Sequence, residues 1–121
     1  MIRGRVSEEG VPFVQLRLEG RDWTAVIDTG FNGYLELPEK LRTAVNAHFL
    51  ERIQSLLAGG HLVEEDAYLV QFPFDSETID PEATFSPGDE ILIGTRLIRN
   101  YRLAIDFVRK DVLLERVGDA D

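Results

Sequence analysis

The stretch Ala25-Val26-Ile27-Asp28-Thr29-Gly30-Phe31-Asn32-Gly33-Tyr34-Leu35 passes from apolar strand formers to a carboxylate and then into two glycine turns. Val26 and Ile27 favour extended backbone, because branching at Cβ suits a pleated surface. Asp28 therefore stands at the mouth of a strand, and Gly30 lets the backbone turn tightly against it. Such a strand end holds an acid rigidly beside a cleft. Taken alone, Asp-Thr-Gly is also an ordinary turn, since all three are common turn residues.

Upstream, Val14, Leu16 and Leu18 alternate with Gln15 and Arg17, the period of a half-buried strand over Val11 to Leu18. Glu19-Gly20-Arg21-Asp22 reads as a turn, and Trp23 to Asp28 returns as the second strand of a hairpin. Downstream, Tyr34 to Leu37 alternates again. Pro38 suits a first helical position. Leu41, Val45, Phe49 and Ile53 then recur at i+4, so one helix could run to Leu57. The rival reading ends the helix near His48. Phe49 to Leu57 and His61 to Phe72 then form a long hairpin folded at Ala58-Gly59-Gly60. Periodicity leaves both open, since a glycine pair serves a helix stop or a hairpin tip.

Pro73 to Gly88 carries three prolines and reads as loop, with a short strand around Ala83 to Phe85. Ile91-Leu92-Ile93-Gly94 is a buried-strand run, and Thr95 to Asn100 one helical turn. Tyr101 to Phe107 and Val112 to Val117 are the last strands, and Gly118 to Asp121 a frayed acidic tail. The class is mainly β with one or two short helices.

A chain of 121 residues is one domain, 1–121, with enough length for a real core. Its 44% hydrophobic and 29% charged residues place it with globular proteins rather than disordered ones. The net charge of −9 disfavours a nucleic-acid partner, which wants a positive field. The absence of cysteine excludes disulfides and thiol chemistry, and two histidines are too few for a histidine-rich metal centre. No metal and no cofactor is expected. No apolar run is long enough to span a membrane, and no apolar stretch follows Met1-Ile2-Arg3-Gly4-Arg5, so a cytoplasmic address is expected.

With its surroundings, the Asp-Thr-Gly segment resembles the active-site segment of retropepsin-like aspartic proteases. Two apolar residues precede the triplet, and a short loop follows. A second signature of that family, apolar-apolar-Gly and then a short helix, is matched by Ile91-Leu92-Ile93-Gly94-Thr95-Arg96-Leu97-Ile98. Gly30 and Gly94 are 64 positions apart, room for a flap hairpin and a return strand. Leu35-Glu36-Leu37-Pro38 and the strand Tyr101 to Phe107 fit the bacterial and archaeal single-domain branch.

The resemblance implies an acid-protease closed barrel, one lobe per chain. It also decides the middle of the chain: a helix from Pro38 to His48, then a flap from Phe49 to Phe72 with its tip at Ala58-Gly59-Gly60. It assigns catalysis to Asp28, Thr29 and Gly30, and substrate binding to Phe31, Asn32, Ala58, Gly59, Gly60 and Ile93.

Aspartic peptidases activate water between two carboxylates sharing one proton. This chain has a single Asp-Thr-Gly, and Asp75-Ser76-Glu77, Asp89-Glu90 and Asp119-Ala120 do not supply another. The chemistry therefore needs a homodimer, with Asp28 beside its own mate on a twofold axis. The expected activity is an aspartic endopeptidase acting on extended polypeptides. The alternative is a catalytically weak or inactive dimeric peptide-binding module on the same fold.

Three positions depart from the pattern. Retroviral members place a small residue where Phe31 stands, and an acid–arginine ion pair where this chain has Asn32 and Thr95. Arg96 and Arg99 are candidates for that brace, although solvated surface is their simpler role. His61 reads as an exposed turn residue, His48 as part of a helix face, Trp23 and Phe107 as core or interface. Glu64-Glu65-Asp66 reads as a solvated strand face.

Overall fold

The computed structural model describes residues 1–118; residues 119–121, most of the expected acidic tail, lie outside the described part. Twelve strands are present: β1 (Ile2–Val6), β2 (Pro12–Leu18), β3 (Arg21–Ile27), β4 (Leu35–Pro38), β5 (His48–Leu56), β6 (Leu62–Leu69), β7 (Phe72–Phe74), β8 (Glu77–Ile79), β9 (Glu82–Ser86), β10 (Ile91–Ile93), β11 (Tyr101–Asp106) and β12 (Asp111–Arg116). Ten of them form one sheet in the order β11-β12-β1-β2-β3-β10-β4-β9-β6-β5, and β7 with β8 forms a separate hairpin. The sheet is open. Its outer strands, β11 and β5, do not pair with each other, so the expected closed barrel is not formed by hydrogen bonding.

The β2–β3 hairpin follows the alternation of its sequence. Val14, Leu16 and Leu18 are buried, and Trp23, Ala25 and Ile27 bury the matching face of β3. These side chains join Leu35 and Leu37 of β4, Ile91 and Ile93 of β10, and Val112 and Leu114 of β12 in one continuous core. The decisive crossing is at β10. It lies between β3 and β4, parallel to the first, with Ile93 beside Ile27, and antiparallel to the second, with Ile93 beside Leu35. Two segments whose paired residues are 66 positions apart are thereby locked together just where β3 ends at Ile27.

The expected helix from Pro38 to His48 is not formed. Glu39–Leu41 makes a single 3-10 turn. Irregular turns follow, closed by Val45 N–H to Leu41 O at 3.0 Å and Ala47 N–H to Arg42 O at 3.3 Å. Asn46 adopts a left-handed φ of 50°, which ends any helical run. The i+4 spacing is real only for Leu41 and Val45, both buried; Phe49 is 63% exposed in extended chain. Likewise residues 95–100 form turns rather than a helix. His48 correspondingly begins β5 instead of lying on a helix face.

β5 and β6 form the long hairpin expected for the flap, with Leu56 opposite Leu62. Its tip spans residues 57–61. Leu57 N–H donates to His61 O at 2.8 Å, while Gly59 and Gly60 take φ values of 94° and 85°. Side chains rarely tolerate that conformation, so the tip depends on glycine. The expected flap boundary at Phe72 is revised: β6 stops at Leu69, and Phe72 belongs to β7.

Candidate functional site

Asp28 stands immediately beyond β3, and three backbone contacts hold it. Its N–H donates to Ile93 O at 3.0 Å, its carbonyl accepts from Phe31 N–H at 3.0 Å, and its Oδ1 accepts from Gly30 N–H at 3.0 Å. The last bond aims the carboxylate back over its own turn. The following loop is tied to the segment after β10. Gly94 N–H donates to Tyr34 O at 2.9 Å, Thr95 N–H to Phe31 O at 2.9 Å, and Arg96 N–H to Gly33 O at 3.1 Å. The approach is close enough that a Cβ on Gly94 would lie 2.1 Å from Gly33 O. Glycine at 94 is thus a requirement of the site's scaffold.

Phe31 folds its ring over the same junction. A Cβ at Gly33 would meet the ring at 2.6 Å, and one at Gly94 would meet it at 2.9 Å. At the positions where an ion pair was considered, Thr95 Oγ1 stands 3.5 Å from Asn32 Oδ1, a long neutral contact. Arg99 Nη1 stands 3.4 Å from the Tyr34 hydroxyl, so one candidate bracing arginine reaches the loop with its side chain, while Arg96 is tied to it through its backbone N–H.

A cleft of about 580 Å³ opens between this loop and the β5–β6 hairpin. Gly30, Phe31, Asn32 and Tyr34 line one side, and Ile53, Ser55, Leu56 and Leu57 the other. Of the expected binding residues, Phe31 and Asn32 therefore reach the cleft. Ala58, Gly59 and Gly60 are exposed at the hairpin tip beyond its lining. Ile93 is corrected: it is fully buried, and only its carbonyl serves the site, by holding Asp28. Asp28 is half-buried, and Thr29 is exposed.

Reasoning from the sequence missed the floor of the cleft. Strands β4, β9, β6 and β5 are neighbours, and their register places Glu36 beside Thr84, Leu69 beside Glu82, and Ile53 beside Glu65. Directly opposed residues share a sheet face, as do alternate residues along a strand. Glu36, Thr84, Glu82, Glu65 and Ile53 therefore look the same way, and all line the cleft. The signal was present in Leu35-Glu36-Leu37, where alternation turns Glu36 away from the core.

Glu65 is likewise no simple solvated residue: its carboxylate accepts from Ser55 Oγ at 2.7 Å. Its neighbours Glu64 and Asp66 do face outward, and both pair with Arg52. Burial pushes the Glu36 carboxyl above the usual carboxylate range. Nearby Glu65 and Asp28 add to the rise, and a hydrogen bond from Ser86 opposes it.

Of the other residues singled out, Trp23 is core, with its Nε1–H on Leu18 O at 3.3 Å, and Phe107 is exposed at the β11–β12 turn. His61 is exposed at the hairpin tip. Among the described residues, no group of three or more His, Cys, Asp or Glu side chains could hold a metal ion, and no helix is long and apolar enough to cross a membrane.

Comparison of the whole structure identifies the architecture. A retropepsin-like aspartic protease from Rickettsia conorii superposes with a TM-score of 0.67 at 11% identity, over 98% of this chain and 92% of that one. The Simian Foamy Virus (mac) protease gives 0.55 at 18% identity, over 72% and 91%. The foamy viral protease-reverse transcriptase gives 0.59 at 18% identity over 78% of this chain, which spans only 13% of that longer protein. No protein-family model and no curated protein sequence matches the chain. The chain has a retropepsin-like fold.

Proposed function

We propose that residues 1–121 are a single retropepsin-like protease domain that works as a cytoplasmic homodimeric aspartic endopeptidase on extended polypeptides, without metal or cofactor. One observation carries the reading. Asp28-Thr29-Gly30 ends a strand with its carboxylate turned onto Gly30 N–H and its backbone held by Ile93, and Gly30, the last of the three, lines the cleft under a glycine-tipped hairpin. The fold supports it, because the structures it resembles include aspartic proteases of about this length.

In the dimer, the two Asp28 carboxylates would hold one water and share one proton, since like charges about 3 Å apart cannot both ionise. The ionised carboxylate takes a proton from the water as its oxygen attacks the peptide carbonyl carbon. The protonated one gives its proton to the carbonyl oxygen. In the resulting diol one hydroxyl returns a proton to the pair while the nitrogen takes one from it. The C–N bond breaks, an amine and a carboxylic acid leave, and the pair again holds one proton. Thr29 would brace the two loops across the axis, and Gly30 would admit the peptide backbone. Phe31 and Asn32 would line the substrate's path, with Ala58, Gly59 and Gly60 closing over it.

Phe31 favours a second reading, a dimeric peptide-binding module with weak or no turnover, because it replaces a small residue beside the carboxylate. Digestion of an unfolded protein across about pH 3 to 7 separates the two. The endopeptidase cleaves best on the acid side, and Asp28→Asn abolishes cleavage while leaving the fold intact. A binding module leaves the substrate whole at every pH. A strict monomer by light scattering, with and without peptide, would count against both.

A further inference from the structure

We propose that the cleft selects peptides carrying a lysine or arginine, whose cation is received by Glu36 and Glu65 on its floor. The inference rests on the cleft being the peptide site and adds a substrate class to it.

Three features of the cleft carry it. Its floor is acidic, and among the described residues no ion pair neutralises it. Glu36, Glu65 and Glu82 line it, and Arg96 is the one basic residue lining it among those described. None of the three glutamates forms an ion pair among the described residues. The contrast with the outer face of the same hairpin is direct, since Glu64 and Asp66 there share Arg52 at 3.1 and 2.8 Å. Glu65 instead accepts from a neutral hydroxyl, Ser55 Oγ, at 2.7 Å. A half-buried carboxylate with only a hydroxyl partner keeps most of its attraction for a cation.

The second feature is shape. Ile53, paired with Glu65 across the hairpin, lines the cleft together with Leu56 and Leu57, which gives an apolar wall beside the negative charge. Lysine and arginine have that form, an aliphatic stem ending in a cation, and they bury the stem while placing the head among polar groups. The third is register. An extended peptide sends alternate side chains to one face, so a basic residue reaches the floor at every second position. The net charge of −9 adds a field that attracts cationic chains.

The test is one peptide mixture, a proteome-derived library of unstructured peptides, used in two ways and read by mass spectrometry. In the first, wild type digests it. In the second, immobilised Asp28→Asn protein captures peptides from it without cutting. Lysine and arginine should be enriched about tenfold over norleucine-sized apolar residues at one or more alternate positions, among cut sites and captured peptides alike. Glu36→Gln with Glu65→Gln should remove the enrichment. Glu64→Gln with Asp66→Asn, on the outer face, should leave it unchanged. Melting curves establish that each variant is folded, and Glu36→Gln alone is the fallback if the double variant is not.

Basic enrichment in capture without any cleavage would sink the endopeptidase and keep this inference. Cleavage with no basic preference, or a preference that survives both floor substitutions, would sink this inference and keep the endopeptidase. Absence of both cutting and capture would overturn both.

Discussion

Gly94→Ala is the sharpest test of how the site is built. The added methyl would lie 2.1 Å from Gly33 O and 2.9 Å from the Phe31 ring. Non-bonded atoms settle at about 3.5 Å, so the loop carrying Gly33 must retreat by about 1 Å. That retreat pulls on three hydrogen bonds joining the segments, Gly94 to Tyr34, Thr95 to Phe31 and Arg96 to Gly33. Overpacking costs about 1–3 kcal/mol, and weakening two such bonds adds about 1 kcal/mol each. The sum, about 3–5 kcal/mol, is a large part of the about 5–15 kcal/mol that stabilises an ordinary domain.

Calorimetry should show a melting temperature lower by about 10 °C or more, and proteolysis should fall with it because the displaced loop carries Asp28. The control is Gly88→Ala. Its new methyl would meet only Ser86 Oγ, at 3.6 Å, and it should stay within about 0.5 kcal/mol of wild type. A Gly94→Ala protein with wild-type melting and wild-type cleavage would refute the claim that this glycine permits the close approach.

Two further outcomes are expected. Gly59→Val with Gly60→Val places branched residues at φ values of 94° and 85°; it should distort the hairpin tip and reduce kcat/KM by about tenfold or more, while scattering still reports the wild-type assembly. Glu36→Gln should raise the melting temperature at pH 7 and change nothing near pH 3.5. The sign follows from burial. A carboxyl whose folded pKa is raised favours the fold fully below its unfolded value, near 4.3, and loses that contribution as pH rises through the folded value. An uncharged glutamine loses nothing over that window.

Much of this arrangement was legible before any coordinates. β2, β3, β10, β11 and β12 were placed within a residue or two: alternation marked β2 and β11, because burial on one sheet face writes itself into the sequence with period two, and β-branched and aromatic content marked β3 and β10. β1 was missed because Arg3 and Arg5 dominate a five-residue strand in which only Val6 is fully buried. The β7–β8 hairpin was missed because Pro73 sits inside it and its turn uses Asp75 and Ser76 at positive φ, without glycine. The helix expected over Pro38 to His48 was over-read, because Leu41 and Val45 are buried by a 3-10 turn and irregular turns that Asn46 ends at a left-handed φ. The acidic floor escaped because it joins residues from four strands. Which glutamates share a face depends on cross-strand register, and no local pattern states that.

Phe31 shows how the scaffold can hold its loops without the charge pair that the retroviral pattern supplies. Its ring occupies the volume that side chains at 33 and 94 would otherwise claim, so the two glycines and the phenyl group form one fitted unit. Asn32 and Thr95 then meet as neutral groups at 3.5 Å, a contact too long to brace the junction by itself. Replacing a half-buried ion pair by packing is often neutral or favourable, because desolvating two charges offsets most of their attraction. The same ring also faces the cleft. One residue therefore couples the rigidity of the Asp28 loop to the shape of the cleft. On the proposed reading, a large residue there fills space in the cleft near the Asp28 loop and leaves the acidic floor under the hairpin to choose the substrate.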